Sequence, residues 1–208
     1  MPELPDIELY LHALRPRLLD QAITGVRIAT PFLVRTIDPP VTAMTGRAVT
    51  ALRRVGKRIV IDADGVALVV HLMIAGRFRW LPPRAPIPKR IGLAAIDLAT
   101  GALVLTEAGS TRRASLHMAL GPDGIAALDP GGLEPLDADL GAFAARLVAE
   151  RHTLKRALTD PSLFSGIGNA YSDEILHRAG LSPMRMSDTL PAPDVARLFA
   201  ATQATLVE

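Results

Sequence analysis

The chain has 208 residues, 49% of them hydrophobic and 21% charged, with a net charge of +2, five histidines and no cysteine. That length fits one large soluble domain or two small ones with real cores, and the absence of cysteine excludes disulfides, thiol catalysis and Cys-based zinc sites. The histidines (His12, His71, His117, His152, His177) show no close ligand spacing, so no metal and no cofactor are expected in this chain.

At the N-terminus stands Met1-Pro2-Glu3-Leu4-Pro5-Asp6. Removal of Met1 would leave a secondary amine at Pro2 beside the Glu3 carboxylate. A proline nitrogen that attacks a sugar C1′ gives an iminium with no N–H to lose, a permanent electron sink, while Glu3 could shuttle protons. Alternatively, Pro2 and Pro5 merely start a helix. The acidic residues Glu3, Asp6 and Glu8 stand where a secretory signal would be basic, which points to a cytoplasmic protein.

Residues 3–19 read as a helix, with Ile7, Leu11, Leu14 and Leu18 on one face and Pro16 placed to kink it. From Ile23 to Leu120 short β-rich runs alternate with turn signals. The clearest are 58–61 and 66–72 around Asp62-Ala-Asp-Gly65, and 93–98 and 102–106 around Ala99-Thr-Gly101. This is an antiparallel sandwich or barrel pattern. The run Val66–Val70 is strand-sized, far short of the roughly 20 residues of a membrane span. Pro82, Pro83, Pro86 and Pro88 mark a loop. Residues 1–130 carry 16 Lys and Arg against 11 Asp and Glu, whereas 131–208 carry 7 against 10. The first part is therefore the candidate electrostatic footprint, with Arg47, Arg53, Arg54, Lys57 and Arg58 in one cluster and Arg77, Arg79, Arg84, Lys89 and Arg90 in another. Both could equally be solvated faces.

Residues 121–135, rich in glycine and proline, read as a linker between domains 1–120 and 136–208. Helical periods follow at 140–150, 153–159, 169–179 closed by Gly180, and 194–207 with Asp194 as a cap candidate. The expected fold is therefore α+β: a leading helix and antiparallel β-sandwich, then an all-α domain. The last helix runs to Glu208 without a stop signal, which suggests a shortened protein. Between the middle helices, Ser165-Gly-Ile-Gly168-Asn169 is a glycine turn entering a helix N-terminus. That arrangement favours an anion such as a phosphodiester, with Asn169 as a further donor, or else it is a tight turn that binds nothing.

Taken together, Met1–Glu8, Gly56-Lys57, His71-Leu72 and 154–183 resemble the formamidopyrimidine-DNA glycosylase/endonuclease VIII family, in the family's order. The most specific parts are Pro2-Glu3-Leu4-Pro5 and Gly166-Ile-Gly-Asn-Ala-Tyr-Ser-Asp-Glu-Ile-Leu176 followed by Ala179-Gly-Leu-Ser-Pro183. The resemblance implies a β-sandwich domain and a helix-two-turn-helix domain that hold damaged DNA, acting as a monomer. It further implies base excision repair by a bifunctional glycosylase/abasic-site lyase that removes damaged, oxidised bases and cleaves the strand by β,δ-elimination. Pro2 would be the Schiff-base nucleophile, Glu3 the acid/base group and Lys57 a phosphate grip beside the reacting sugar. Lys155 and Asn169 would contact phosphate or lesion, and His71 would face either the core or the DNA.

The departures matter too. Ile74 stands where the family's wedge methionine is expected, with Met73 beside it. Ser110-Thr-Arg-Arg-Ala114 keeps Arg112 and Arg113 but has alanine for a wedge phenylalanine. The family's C-terminal zinc finger, with its structural zinc, would begin after the last helix. An alternative is a non-catalytic module that holds distorted DNA through Lys57, Arg112, Arg113 and the 166–169 turn. A third is an RNA-binding protein sharing only the helix-two-turn-helix element, against which Pro2-Glu3 and the β-rich region argue. Abundant Ala, Arg, Gly and Pro suit a GC-rich bacterial genome and a nucleoid-associated protein.

Overall fold

The structure, a computed structural model, describes residues 1–109 and 111–207. They form two compact units: Met1–Pro2 with Ile7–Leu128, and Glu3–Asp6 with Asp129 onward. The first helix, α1 (Leu4–Leu18), is shared between them.

The first unit holds eight strands: β1 (Ile23–Ile28), β2 (Ala51–Val55), β3 (Arg58–Ala63), β4 (Val66–His71), β5 (Gly76–Leu81), β6 (Gly92–Leu98), β7 (Ala102–Glu107) and β8 (Ser115–Leu120). They make two antiparallel sheets, ordered β1-β6-β7-β5 and β2-β3-β4-β8. Their inner faces share one core, in which Ile59, Ile61, Leu68 and Val70 of one sheet join Ile96, Leu103 and Leu105 of the other. Ile7, Leu11, Leu14 and Leu18 of α1 enter the same core, as their spacing requires.

β4 is apolar on both faces, although a sheet with one face in water would alternate. The reason lies in the short helix α2 (Gly121–Ala126). Its Ile125 packs with Val60, Ala67, Val69 and Ala119 on the sheet's outer face. The stretch 121–135, read as a linker, thus begins with a helix that covers β4, and the first unit extends to Leu128. Asp64 and Gly65 both have positive φ (49° and 83°), the pair of left-handed residues that a tight hairpin turn demands.

The second unit contains α3 (Leu140–Leu147), α4 (Leu154–Thr159), α5 (Asn169–Ala179) and α6 (Ala192–Val207). Asp139 and Thr153 cap α3 and α4 by accepting from the Ala142 and Arg156 N–H groups. Gly180 ends α5 in the left-handed conformation. Asp194, expected as a cap, instead lies inside the first turn of α6. That helix starts at Ala192 behind Pro191, and the Asp194 carboxylate pairs with Arg185 (2.7 Å) and Arg197 (2.8 Å). The core gathers Phe143, Phe164, Ile167, Ile175, Leu198 and also Leu4 from the first turn of α1.

Gly132 lies against the segment that leads into α5. A Cβ there would sit 2.5 Å from the Pro161 carbonyl oxygen and 2.9 Å from the Phe164 carbonyl carbon, both backbone atoms. Gly132→Ala is expected to cost about 1–3 kcal/mol through overpacking, read as a lower urea midpoint with the fold retained.

Candidate active site

Leu4 donates its N–H to the Gly166 carbonyl at 2.9 Å, and the Glu3 N–H donates to Asp6 Oδ2 at 2.9 Å. The second bond is half of a capping box, with Asp6 reaching back to the residue before α1. The Glu3 side chain is only 3% exposed. Its Oε2 accepts from Gly168 N–H (2.6 Å) and Tyr171 N–H (3.1 Å), and its Oε1 accepts from Ala170 N–H (3.0 Å). The glycine turn enters α5 through Gly166, whose φ of 77° suits glycine, and so presents these amides to one carboxylate. An anion at this helix N-terminus was expected from the sequence. It is the chain's own Glu3, so these three N–H groups do not meet a phosphodiester.

Asn169, the first residue of α5, is exposed, and its carbonyl accepts from Lys155 Nζ at 2.8 Å. Lys155 also pairs with Asp173 at 2.5 Å, so it braces the start of α5. Tyr171 has its phenol pKa raised by burial and then by the charges of Asp6, Glu3 and Glu174. Its hydroxyl therefore stays protonated and able to donate.

In the first unit Pro2 is buried, with its nitrogen in a peptide bond to the exposed Met1. Lys57 occupies the two-residue loop between β2 and β3, behind Gly56 with φ 57°. His71 ends β4 between Arg58 and Ser115. Burial, then Arg58, Lys57 and His117, lower its pKa to about 4, and its buried Nε2 has no hydrogen-bond partner among the described residues. His71 is therefore a neutral imidazole within a cationic cluster.

Ile74 stands in the β4–β5 loop, 58% exposed, just after Met73, which is half-buried and left-handed (φ 53°). Arg77 donates to the Ile74 and Gly76 carbonyls and stiffens that loop. Ala114, aligned with a wedge position, is buried in the sandwich core instead. Its N–H and that of Arg113 donate to Glu107, which is 1% exposed. Arg112 and Arg113 are exposed, and Arg112 donates to the Arg90 carbonyl at 2.6 Å. Ser110 lies outside the described residues.

Two groupings escaped the sequence reading. Glu107 is an isolated acid in a β run, and nothing local says that it holds residues 113–114. Glu150, His152 and Asp160 bring possible ligand atoms within 4.8 Å of one another, although histidine spacing alone suggested no metal. The Arg156 guanidinium donates to His152 Nε2 at 3.4 Å, so a cation already occupies that nitrogen's side. No helix among the described residues is long and apolar enough to cross a membrane.

Residues 1–115 match the formamidopyrimidine-DNA glycosylase N-terminal domain, and residues 132–208 match the helix-two-turn-helix domain of the same family. A formamidopyrimidine-DNA glycosylase of Moorella thermoacetica is 35% identical over 212 residues, covering 99% of this chain and 77% of that protein. One from Rhodococcus jostii is 33% identical over 221 residues, covering 100% and 75%. Among solved structures, the Lactococcus lactis protein with DNA containing a formamidopyrimidine lesion superposes with a TM-score of 0.89 at 24% identity, covering 99% of this chain and 78% of that one. Its complex with DNA containing an oxidised pyrimidine gives 0.90 at the same identity, with 99% and 79% coverage. At that identity the likeness is one of fold.

Glu3→Gln turns one acceptor oxygen into an NH2 group that faces N–H donors, leaving at least one buried amide without a partner. A loss of about 1–3 kcal/mol is expected, with faster hydrogen exchange at Gly168, Ala170 or Tyr171. For His71 the unfolded ring protonates near 6.5 and the folded ring near 4. Unfolded protein therefore binds the extra proton first, and stability should fall as pH drops from 6.5 towards 4. An NMR titration should give His71 a midpoint near 4, and His71→Phe should flatten that part of the pH–stability curve.

Proposed function

Because the chain belongs to the formamidopyrimidine-DNA glycosylase family, we infer that it is a DNA glycosylase of base excision repair, and we propose that Pro2 and Glu3 carry the chemistry. The observation that supports this pairing is the anchoring of Glu3, both oxygens held by amides of α5, one peptide bond away from Pro2. An orientation fixed in advance is what proton transfer at a reacting sugar requires.

With Met1 removed, the Pro2 amine attacks C1′, the N-glycosidic bond breaks and the base leaves, taking up a proton. Glu3 accepts the amine proton and returns it to O4′ as the C1′–O4′ bond opens. The product is a cationic iminium joining Pro2 to the sugar. Loss of a C2′ proton then expels the 3′-phosphate, and loss of a C4′ proton expels the 5′-phosphate. Water hydrolyses the iminium and returns the amine. Every step uses an amine, a carboxylate and water, so we propose that the chemistry needs no cofactor. The substrate is damaged DNA, bound by a monomer. Lys57 holds a phosphate beside the reacting sugar, with Asn169, Arg112 and Arg113 as further contacts and Ile74 as the wedge. Lys155 acts through α5 rather than by touching DNA.

Hydride from borohydride reduces the iminium to a stable amine, which makes the intermediate measurable. Protein lacking Met1 should be captured covalently on abasic duplex, whereas protein retaining Met1 should give no adduct and no incision. Equal adduct from both forms would exclude Pro2 as the nucleophile. Tight binding without any adduct would leave a DNA-holding module.

A further inference from the structure

Phe32 is 84% exposed, whereas its neighbour Leu33 is 2% exposed and lies in the sandwich core. Both belong to one short 3-10 turn, Pro31–Leu33. Two backbone bonds close it, from Leu33 N–H to the Thr30 carbonyl and from Val34 N–H to the Pro31 carbonyl, each at 3.1 Å. Pro31 fixes its own φ and Leu33 is anchored, so the Phe32 ring is held out in water on a stiff base. A lone exposed apolar side chain is ordinary, so what matters is where this one stands.

From Val34 the chain runs beside the outer edge of β8. Val34 pairs with Leu116 in parallel, Arg35 N–H donates to the Leu116 carbonyl at 2.8 Å, and Met118 N–H donates to Thr36 Oγ1 at 3.2 Å. On the other side of β8, β4 ends at His71 opposite Ser115. One end of this sheet therefore collects three neighbouring chains: the turn that carries Phe32, the 112–114 segment entering β8, and the loop that leaves β4 with Ile74. Adjacent strands lie about 4.8 Å apart, which puts Val34 and His71 roughly 10 Å apart across β8. Phe32 and Ile74 are the exposed apolar groups at this end, and Arg35, Arg112 and Arg113 are exposed cations. Ala114, between them in sheet order, is 5% exposed with its N–H bound by Glu107, and offers the surface no side chain. Guanidinium groups around an aromatic ring fit nucleic acid, the cations meeting phosphates and the ring meeting a base face. A duplex exposes such a face only where a base has left the stack.

We propose that Phe32 stacks on a base face uncovered when the damaged nucleotide leaves the helix, so that Phe32 and Ile74 fill the vacated stack from two different chain segments. The inference rests on the glycosylase reading and names a residue by which that enzyme holds the opened duplex. The test is affinity for two duplexes of one sequence, one undamaged and one carrying a single reduced abasic position that cannot be cleaved. Phe32→Ala should weaken binding to the abasic duplex by roughly tenfold, and to the undamaged duplex, which exposes no base face, by less than about twofold. Phe32→Tyr keeps the ring and should bind the abasic duplex within about twofold of wild type. Ile37→Ala is the comparison: Ile37 is 95% exposed but follows Thr36 along β8, away from that end, and its loss should change neither affinity. Phe32→Ala removes a side chain that is mostly in water, so its melting temperature should match wild type, which separates loss of stacking from unfolding.

Unchanged affinity of Phe32→Ala for the abasic duplex would overturn the proposal. So would an equal loss on the undamaged duplex, an equal loss in Ile37→Ala, or a Phe32→Tyr protein that binds as weakly as Phe32→Ala. The reaction is read separately, by borohydride capture on a cleavable abasic duplex. If wild-type protein gave no adduct there, the glycosylase reading would fail. Stacking by Phe32 would still be decided by the two affinities, since a preference for the abasic duplex that Phe32→Ala abolishes supports it and no preference overturns it.

Discussion

A carboxylate that is 3% exposed must be compensated or it destabilises the fold, and the second unit is arranged around that requirement at Glu3. Three amide donors converge on it from the N-terminus of α5, where the helix dipole also favours negative charge. To present them, the chain needs Gly166 at positive φ, Gly168 as the residue before the helix, and the Leu4 N–H bonded to the Gly166 carbonyl. Lys155 and Asp173 then hold the first turn of α5 in place. One interaction therefore fixes where α1 begins, how α5 begins, and which way Glu3 faces.

The basic character of the β-rich unit is smaller than its residue count suggests. Arg47, Arg53 and Arg54 of the first cluster pair with Asp64, Asp62 and Glu8, and Arg27 forks onto Asp97 at 2.6 and 2.8 Å. An exposed pair such as Arg47–Asp64 contributes little to stability, but all of these pairs neutralise charge. At the other end of the cluster, burial and then Arg58 and Lys57 hold His71 neutral, and burial followed by Arg58 and Arg35 depresses His117. The positive field on this face comes from guanidinium and ammonium groups, not from the imidazoles.

Local signals were legible in the sequence and long-range ones were not. The bounds of α5, the Asp64-Gly65 turn and the apolar face of α1 follow from residue periodicity and turn chemistry, which act over a few positions. A helix N-terminus that wants an anion was legible too, yet its occupant lies 165 residues away and no local pattern names it. Asp194 failed as a cap because Pro191 and Pro193 allow the helix to start earlier, and two arginines claim its carboxylate. Ala114, which stands where a wedge phenylalanine would be, lies in the sandwich core, and Glu107, seven residues back, accepts from its N–H. Each miss is a tertiary partner overriding a local preference.

The capture of the α5 amides by Glu3 also limits how this chain can hold a phosphate. Backbone N–H groups at a helix N-terminus would grip an anion without a mobile charge, but three of those at α5 already serve the carboxylate. Under the proposed function, a DNA phosphate near α5 would meet side chains such as the exposed Asn169, and one near the β2–β3 loop would meet Lys57. Lysine contacts release counterions and respond steeply to salt, whereas an asparagine contact orients without neutralising. The N-terminus of α5 is committed to orienting the Glu3 carboxylate, which under the proposed function is the proton-transfer group. Such an arrangement would fix that group's orientation in advance of any reaction, whatever the local shape of the DNA.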